Sequence, residues 1–316
     1  MDRQTLVSNE IFGVFLAFSA AVCWGSAGVL YKSSIKPEHS LFLSIVYRGL
    51  IAVPFLALLT ILTTGFEAIT ILLQPHILPI LLFSSLFVTL GDLFFFASLQ
   101  IIDVSKSQPV AAIYPLFTIV LLIIFGIEQV SLIVIVATVI LIIGIGLVSQ
   151  KNSPSSDLSS SKKAENTKGL MLSIVAAIFW SFGILTLDYL LDIPGIDVFS
   201  LATIRFGILT ILMALSWIIF DKYHLQSREK VKSFTPISKR DVLTFGLTGI
   251  LSWGLGAVTF FTSIELIGAS RATPISSINP IIAVILGIIF LKEKFSTLQG
   301  IGIFLVCFGS IVISIF

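Results

Sequence analysis

The sequence predicts an all-α membrane protein of ten transmembrane helices arranged as two inverted five-helix repeats. Three observations carry that expectation. Hydrophobic residues fill 56% of the 316 positions and charged residues only 11%, too apolar for the polar shell of a soluble domain. Apolar windows of about 20 residues, the length that spans a ~30 Å hydrocarbon core, follow one another with little between them. The second half of the chain repeats the first. A β-barrel would show short alternating strands, whereas Leu132 to Leu147 is apolar almost throughout; helices, which satisfy their own backbone groups, are therefore expected to span.

The first helix, expected from Ile11 to Tyr31, is rich in alanine and carries Trp24. A cleaved signal peptide could also place an apolar run before small residues such as Ala20 and Ala21, but no basic cluster precedes this one and a second copy of it stands mid-chain. Cys23 here and Cys307 near the end both fall inside expected spans, where packing is the role anticipated for them.

The second helix, Ser40 to Leu62, holds Arg48 nine residues past His39, and the third, Ile77 to Gln100, holds Asp92 eleven residues before Asp103. At ~1.5 Å per residue both lie about 13–16 Å from the same membrane face. Charges at that depth are costly alone and much less so together, so Arg48 and Asp92 are expected to pair beside a cavity.

The fourth helix, Ser107 to Gly126, contains Pro109 and Pro115, and Glu128 closes it. Pro115 removes a helix hydrogen bond and predicts a kink, tolerated where a neighbour or a wet cavity satisfies the freed carbonyl; Tyr114 before it is a candidate lining residue. Glu128 is expected to mark the turn into the next helix. The fifth helix, Ser131 to Ser149, carries Gly144 and Gly146 as close-packing positions.

Gln150 to Lys168, rich in Ser, Lys and Asn with no apolar run, reads as a solvated linker. It divides the chain into a first repeat over 1–149, the linker over 150–168 and a second repeat over 169–316.

The sixth helix, Gly169 to Leu191, lays Gly169, Ala176 and Trp180 over Gly13, Ala20 and Trp24, 156 positions on (180 − 24). The seventh, Phe199 to Phe220, sets Arg205 over Arg48. The eighth, Val242 to Ile267, contains Trp253 and has Ala257 where the first repeat has Asp92, 165 positions earlier (257 − 92). Arg205 therefore lacks an equivalent partner and is expected to turn to Asp188, to Glu265 or to an anionic group of a bound solute.

The ninth helix, Thr273 to Leu291, gives the clearest match: Ser105 to Ser131 lies without a gap on Ser270 to Ser296, pairing Pro109 with Pro274, Tyr114 with Asn279, Pro115 with Pro280 and Glu128 with Glu293. The tenth, Thr297 to Phe316, carries Gly300, Gly302 and Gly309 as further packing glycines. Five helices per copy is an odd number, so the second copy enters the membrane inverted, an arrangement of secondary transporters that bind substrate near the midplane.

The alanine-rich first helix with its Trp, the fourth helix with paired prolines and the Glu that closes it, all in two copies, resemble the EamA family of the drug/metabolite transporter superfamily. The resemblance covers nearly the whole chain. It implies ten helices around a central cavity and the export or exchange of small metabolites such as amino acids, moved by alternating access. The candidate cavity residues are Trp24, Arg48, Asp92, Tyr114, Pro115, Trp180, Arg205, Asn279 and Pro280.

A membrane enzyme would gather His, Asp or Glu at one face, yet His39, His76 and His224 are scattered in loops, and no metal spacing or nucleophile motif occurs. A channel would show polar or charged pore rings. An integral membrane protein without transport activity, a membrane enzyme or a scaffold, is the remaining alternative. No cofactor, metal or nucleic-acid partner is expected; the partners anticipated are a small-molecule substrate and membrane lipid. Related small exporters use a first-helix Glu as proton site, and Ile11 to Tyr31 contains no carboxylate. Asp92 is the candidate substitute for proton coupling, with facilitated diffusion or exchange as the alternative.

Of the 19 Lys and Arg, Arg48 and Arg205 lie within helices, and about 15 of the other 17 fall in loops after the odd-numbered helices. By the positive-inside rule that face is cytoplasmic. Both termini are then outside the cell membrane, against the topology usual for the family resembled.

Overall fold

The computed structural model describes residues 3–36, 39–148, 160–222, 237–282, 285–286 and 297–316. Regular structure among the described residues is helical throughout. The first half contains α1 (Arg3–Ser34), α2 (Leu41–Thr63), the short α3 (Glu67–Leu72), α4 (Leu78–Ile101), α5 (Val104–Ala111), α6 (Tyr114–Ile124) and α7 (Leu132–Val148). The second contains α8 (Ser160–Leu191), α9 (Val198–Ser216), α10 (Lys239–Gly249), α11 (Ala257–Ile267), α12 (Ala269–Ser276) and α13 (Thr297–Ile315). Wide π-helical turns extend α9 over Trp217–Lys222 and join α10 to α11 over Ile250–Gly256.

Eight of the described helical segments, counting α5 with α6 and α10 with α11 as single spans, are long and apolar enough to cross a membrane; α7 is apolar but only 17 residues long. Ten spans were expected. The expected ninth, Thr273 to Leu291, is described only to residue 282 and at 285–286, so its remainder, like Glu293, lies outside the described residues. Large apolar side chains face outward on these helices, among them Phe15, Leu62, Ile124, Leu132 and Phe304, as a lipid-facing surface requires.

Local chemistry starts the helices. Ser40 accepts from the Leu43 amide at the head of α2, Asp197 from Phe199 and Ser200 at the head of α9, and Ser238 from Asp241 at the head of α10, each satisfying amides that have no partner within the helix. Gly268, at φ +77°, separates α11 from α12 in a conformation that glycine adopts without strain.

The segment read as linker behaves differently from expectation at its end. Residues 149–159 lie outside those described, but Ser160 to Lys168 form the first turns of α8. Lys163, Ala164, Glu165 and Lys168 are good helix formers, so a polar stretch extends the apolar helix beyond its expected start at Gly169.

The halves interlock reciprocally. α8 packs on α4, and α1 packs on α11; α2 meets α9, and α7 meets α13. Glycine contacts repeat with the same exchange. A β-carbon added to Gly13 would stand 2.6 Å from Ile267, and one added to Gly169 the same distance from Ile102, the equivalent residue. Gly144 abuts the carbonyl of Gly302, and Gly309 that of Ala137. Gly146 has open space around it, so the packing role anticipated for it does not hold.

Candidate functional site

The anticipated kink in the fourth helix is a full break. The helix stops at Ala111 and restarts at Tyr114, with Leu116 N donating to Ile113 O at 3.1 Å in a tight turn. The equivalent break after Ser276 places Ile281 N on Ile278 O at 2.9 Å. Pro115 and Pro280, which have no amide hydrogen to continue the ladder, stand one residue past Tyr114 and Asn279. The carbonyl of Tyr114 is satisfied from the neighbouring α8 by the Ser181 hydroxyl at 2.9 Å.

These breaks let the two segments meet through side chains. Tyr114 Oη bonds Ser276 Oγ at 2.9 Å and donates to Thr273 O at 3.2 Å, while Gln108 Nε2 donates to Asn279 Oδ1 at 3.0 Å. Tyr114 is equivalent to Asn279 and Gln108 to Thr273, so the two crossings are the same contact made once in each direction.

Between them lies a cavity of about 160 Å³ drawn from both halves. Trp24, Arg48, Asp92, Tyr114, Trp180, Arg205 and Asn279 line it. Of the residues anticipated, Pro115 and Pro280 do not reach its wall; they act on it by placing their neighbours. Trp180 packs on Phe95 with ring centroids 5.1 Å apart, and Trp24 packs on Phe260, the equivalent pair, at 5.0 Å.

Asp92 interrupts this equivalence. Its Oδ1 accepts from Trp180 Nε1 at 3.0 Å and its Oδ2 from Trp253 Nε1 at 3.1 Å. Ala257 stands in its place in the second repeat, so the Trp24 indole donates instead to the Ser252 carbonyl at 3.0 Å.

The expected direct pair between Arg48 and Asp92 is replaced by a looser arrangement. Both carboxylate oxygens are held by indole N–H groups, and Arg48 Nη2 donates to Ser252 Oγ. The Arg48 guanidinium lies 4.4 Å from the Phe96 ring centroid and 4.7 Å from that of Trp253, within cation–π range. Depth in the helix was enough to bring both charges to one cavity, but the indoles reach the carboxylate first.

Arg205 turns neither to Asp188 nor to Glu265; its Nη2 donates to Gly183 O at 2.8 Å. Asp188 is buried away from the cavity wall, and Glu265 is exposed. Glu128 accepts from the amides of Ala269 and Ser270, at 2.6 and 3.2 Å, so it ties the end of the first repeat's broken helix to the start of α12.

Sequence reasoning missed Ser252 and Gln108. A serine or glutamine in an apolar helix carries no periodic signal, although the glycines at 249, 254 and 256 around Ser252 mark an irregular stretch. That stretch is the π-helical turn over Ile250–Gly256, which delivers Ser252 and Trp253 together to the cavity; such turns recur at functional sites.

Residues 11–150 and 167–315 match the EamA-like transporter family. An uncharacterized transporter of Archaeoglobus fulgidus is 28% identical over 93% of this chain and 94% of its own length. One of Clostridium kluyveri is 23% identical over 58% of this chain and 55% of its own. A protein known from a crystal structure shares the fold with a TM-score of 0.71 at 16% identity, covering 95% of each chain.

Proposed function

The chain belongs to the EamA-like transporter family, and from that premise we propose that it moves a small metabolite, amino-acid-like or a related solute, across the cell membrane, by export or exchange, through alternating access of a central cavity. In this reading the ten expected helices form two inverted five-helix repeats, with the cavity residues named above as its substrate wall.

The observation that supports this reading best is the doubled crossing of the broken helices, Tyr114 on Thr273 and Ser276, and Gln108 on Asn279. With the repeats inverted as this reading has them, one crossing lies toward each membrane face. Opening one while the other stays closed exposes the cavity to one side at a time, as alternation of inverted repeats requires. Interhelical hydrogen bonds within a membrane contribute only ~0.6–2 kcal/mol each, small enough to be exchanged during a transport cycle.

The purified protein in vesicles preloaded with a metabolite panel tests this. Saturable counterflow of at least one small solute is expected. Absence of counterflow for every amino acid and related organic acid, with the protein folded and inserted, would contradict the proposal.

A further inference from the structure

Arg48 is 3% exposed and lines the cavity, yet its Nε and Nη1 have no acceptor among the described residues. Leaving charged donors buried and unpaired is costly. Among the described residues, the cavity wall also carries more positive than negative charge, with Arg48 and Arg205 against Asp92 alone. Asp92 has both oxygens engaged by indoles. Among the described residues, the buried side-chain acceptor left unpaired on the wall is the neutral amide oxygen of Gln108, and no second carboxylate awaits a cation.

Around these groups the surfaces are rings. Phe96 and Trp253 lie within cation–π range of the guanidinium, Phe206 stacks on Trp253 at 5.1 Å and 11°, and Trp180 and Trp24 also line the wall. The volume of about 160 Å³ is close to that of engineered cavities of about 150 Å³ that admit benzene.

We propose that the cavity takes a monocarboxylate with a flat apolar body about one ring in size, toward which the Arg48 side chain turns so that its unpaired N–H groups donate to the carboxylate. A carboxylate satisfies Arg donors with charge-assisted bonds and balances the excess positive charge, while the body fits between the aromatic faces. This assignment rests on the transport reading for its biological meaning, but binding is measurable without transport.

Three of the four tryptophans line the cavity, so intrinsic fluorescence of the purified full chain reports on it. Titration with benzoate is expected to give a saturable change. Benzamide, equal in shape but neutral, should bind at least about tenfold more weakly, because it leaves the guanidinium uncompensated; chloride, lacking the ring, should fail to displace benzoate at equal concentration. Arg48→Gln should lose the preference for benzoate over benzamide.

The wild-type comparison stands even if that variant fails to fold. Equal binding of benzamide, displacement by chloride, no response to benzoate, or an unchanged preference in a folded Arg48→Gln protein would overturn the assignment. Counterflow of neutral or cationic solutes without benzoate binding would remove the carboxylate and leave the transport reading intact. Selective benzoate binding without counterflow of any solute would do the reverse.

Discussion

Trp180 seats its indole against Gly91, so closely that a β-carbon there would stand 2.3 Å from the ring's Cδ1. The contact fixes the indole where its N–H reaches Asp92 on the next residue. Gly91→Ala is expected to push the ring aside, break that bond and cost ~1–3 kcal/mol of stability through overpacking, read as a lower melting temperature of the purified protein with weaker transport. Gly256→Ala, which crowds Trp24 at 2.8 Å, should destabilise similarly without affecting Asp92. Gly146→Ala meets open space and should leave melting unchanged or slightly raised.

Among the described residues, Asp92 is the one carboxylate on the cavity wall. If it is the coupling group, Asp92→Asn should abolish stimulation of uptake by a pH gradient while counterflow, which needs no gradient, persists at a reduced rate. Vesicle uptake with and without the gradient measures both; equal stimulation in variant and wild type would place proton coupling elsewhere.

Pro115 and Pro280 set the breaks that present Tyr114 and Asn279. Pro115→Ala and Pro280→Ala should insert at near wild-type levels, since alanine restores a good helix former, yet transport several-fold more slowly because the cavity wall straightens. Normal transport by both variants would reduce the breaks to packing features.

The repeat was legible because prolines, glutamates and arginines recur in order; of the candidates that repeat matching and helix depth singled out, Trp24, Arg48, Asp92, Tyr114, Trp180, Arg205 and Asn279 line one cavity. Partners were not legible. Depth along a helix brought Arg48 and Asp92 to the same level, but which atoms meet depends on helix rotation and on the π-helical turn that inserts Trp253 and Ser252. The polar start of α8 was missed because a solvated helix extension has no apolar period to distinguish it from a linker.

Both chain ends lie on one face: Arg271 donates to the carbonyls of Ile313 and Ser314 and stands 3.7 Å from Glu10. On the opposite face, Lys32 donates to the carbonyls of Leu99 and Ile102, and Lys106 to Asn166. The lysine-rich face is expected inside, so a reporter active only in the cytoplasm, fused after Phe316, should stay dark. A bright reporter would reverse the orientation and leave the fold as described.

Alternating access of the cavity is tested most directly at Ala257, a small residue on its wall at the position equivalent to Asp92. In a chain carrying Ala257→Cys with Cys23 and Cys307 replaced by serine, a membrane-impermeant thiol reagent is applied from one side of sealed vesicles and then from the other. The account predicts labelling from both sides, slowed by a bound substrate. Labelling from one side only, at every temperature and with the thiol reactive throughout, would mark a closed-ended pocket and contradict it.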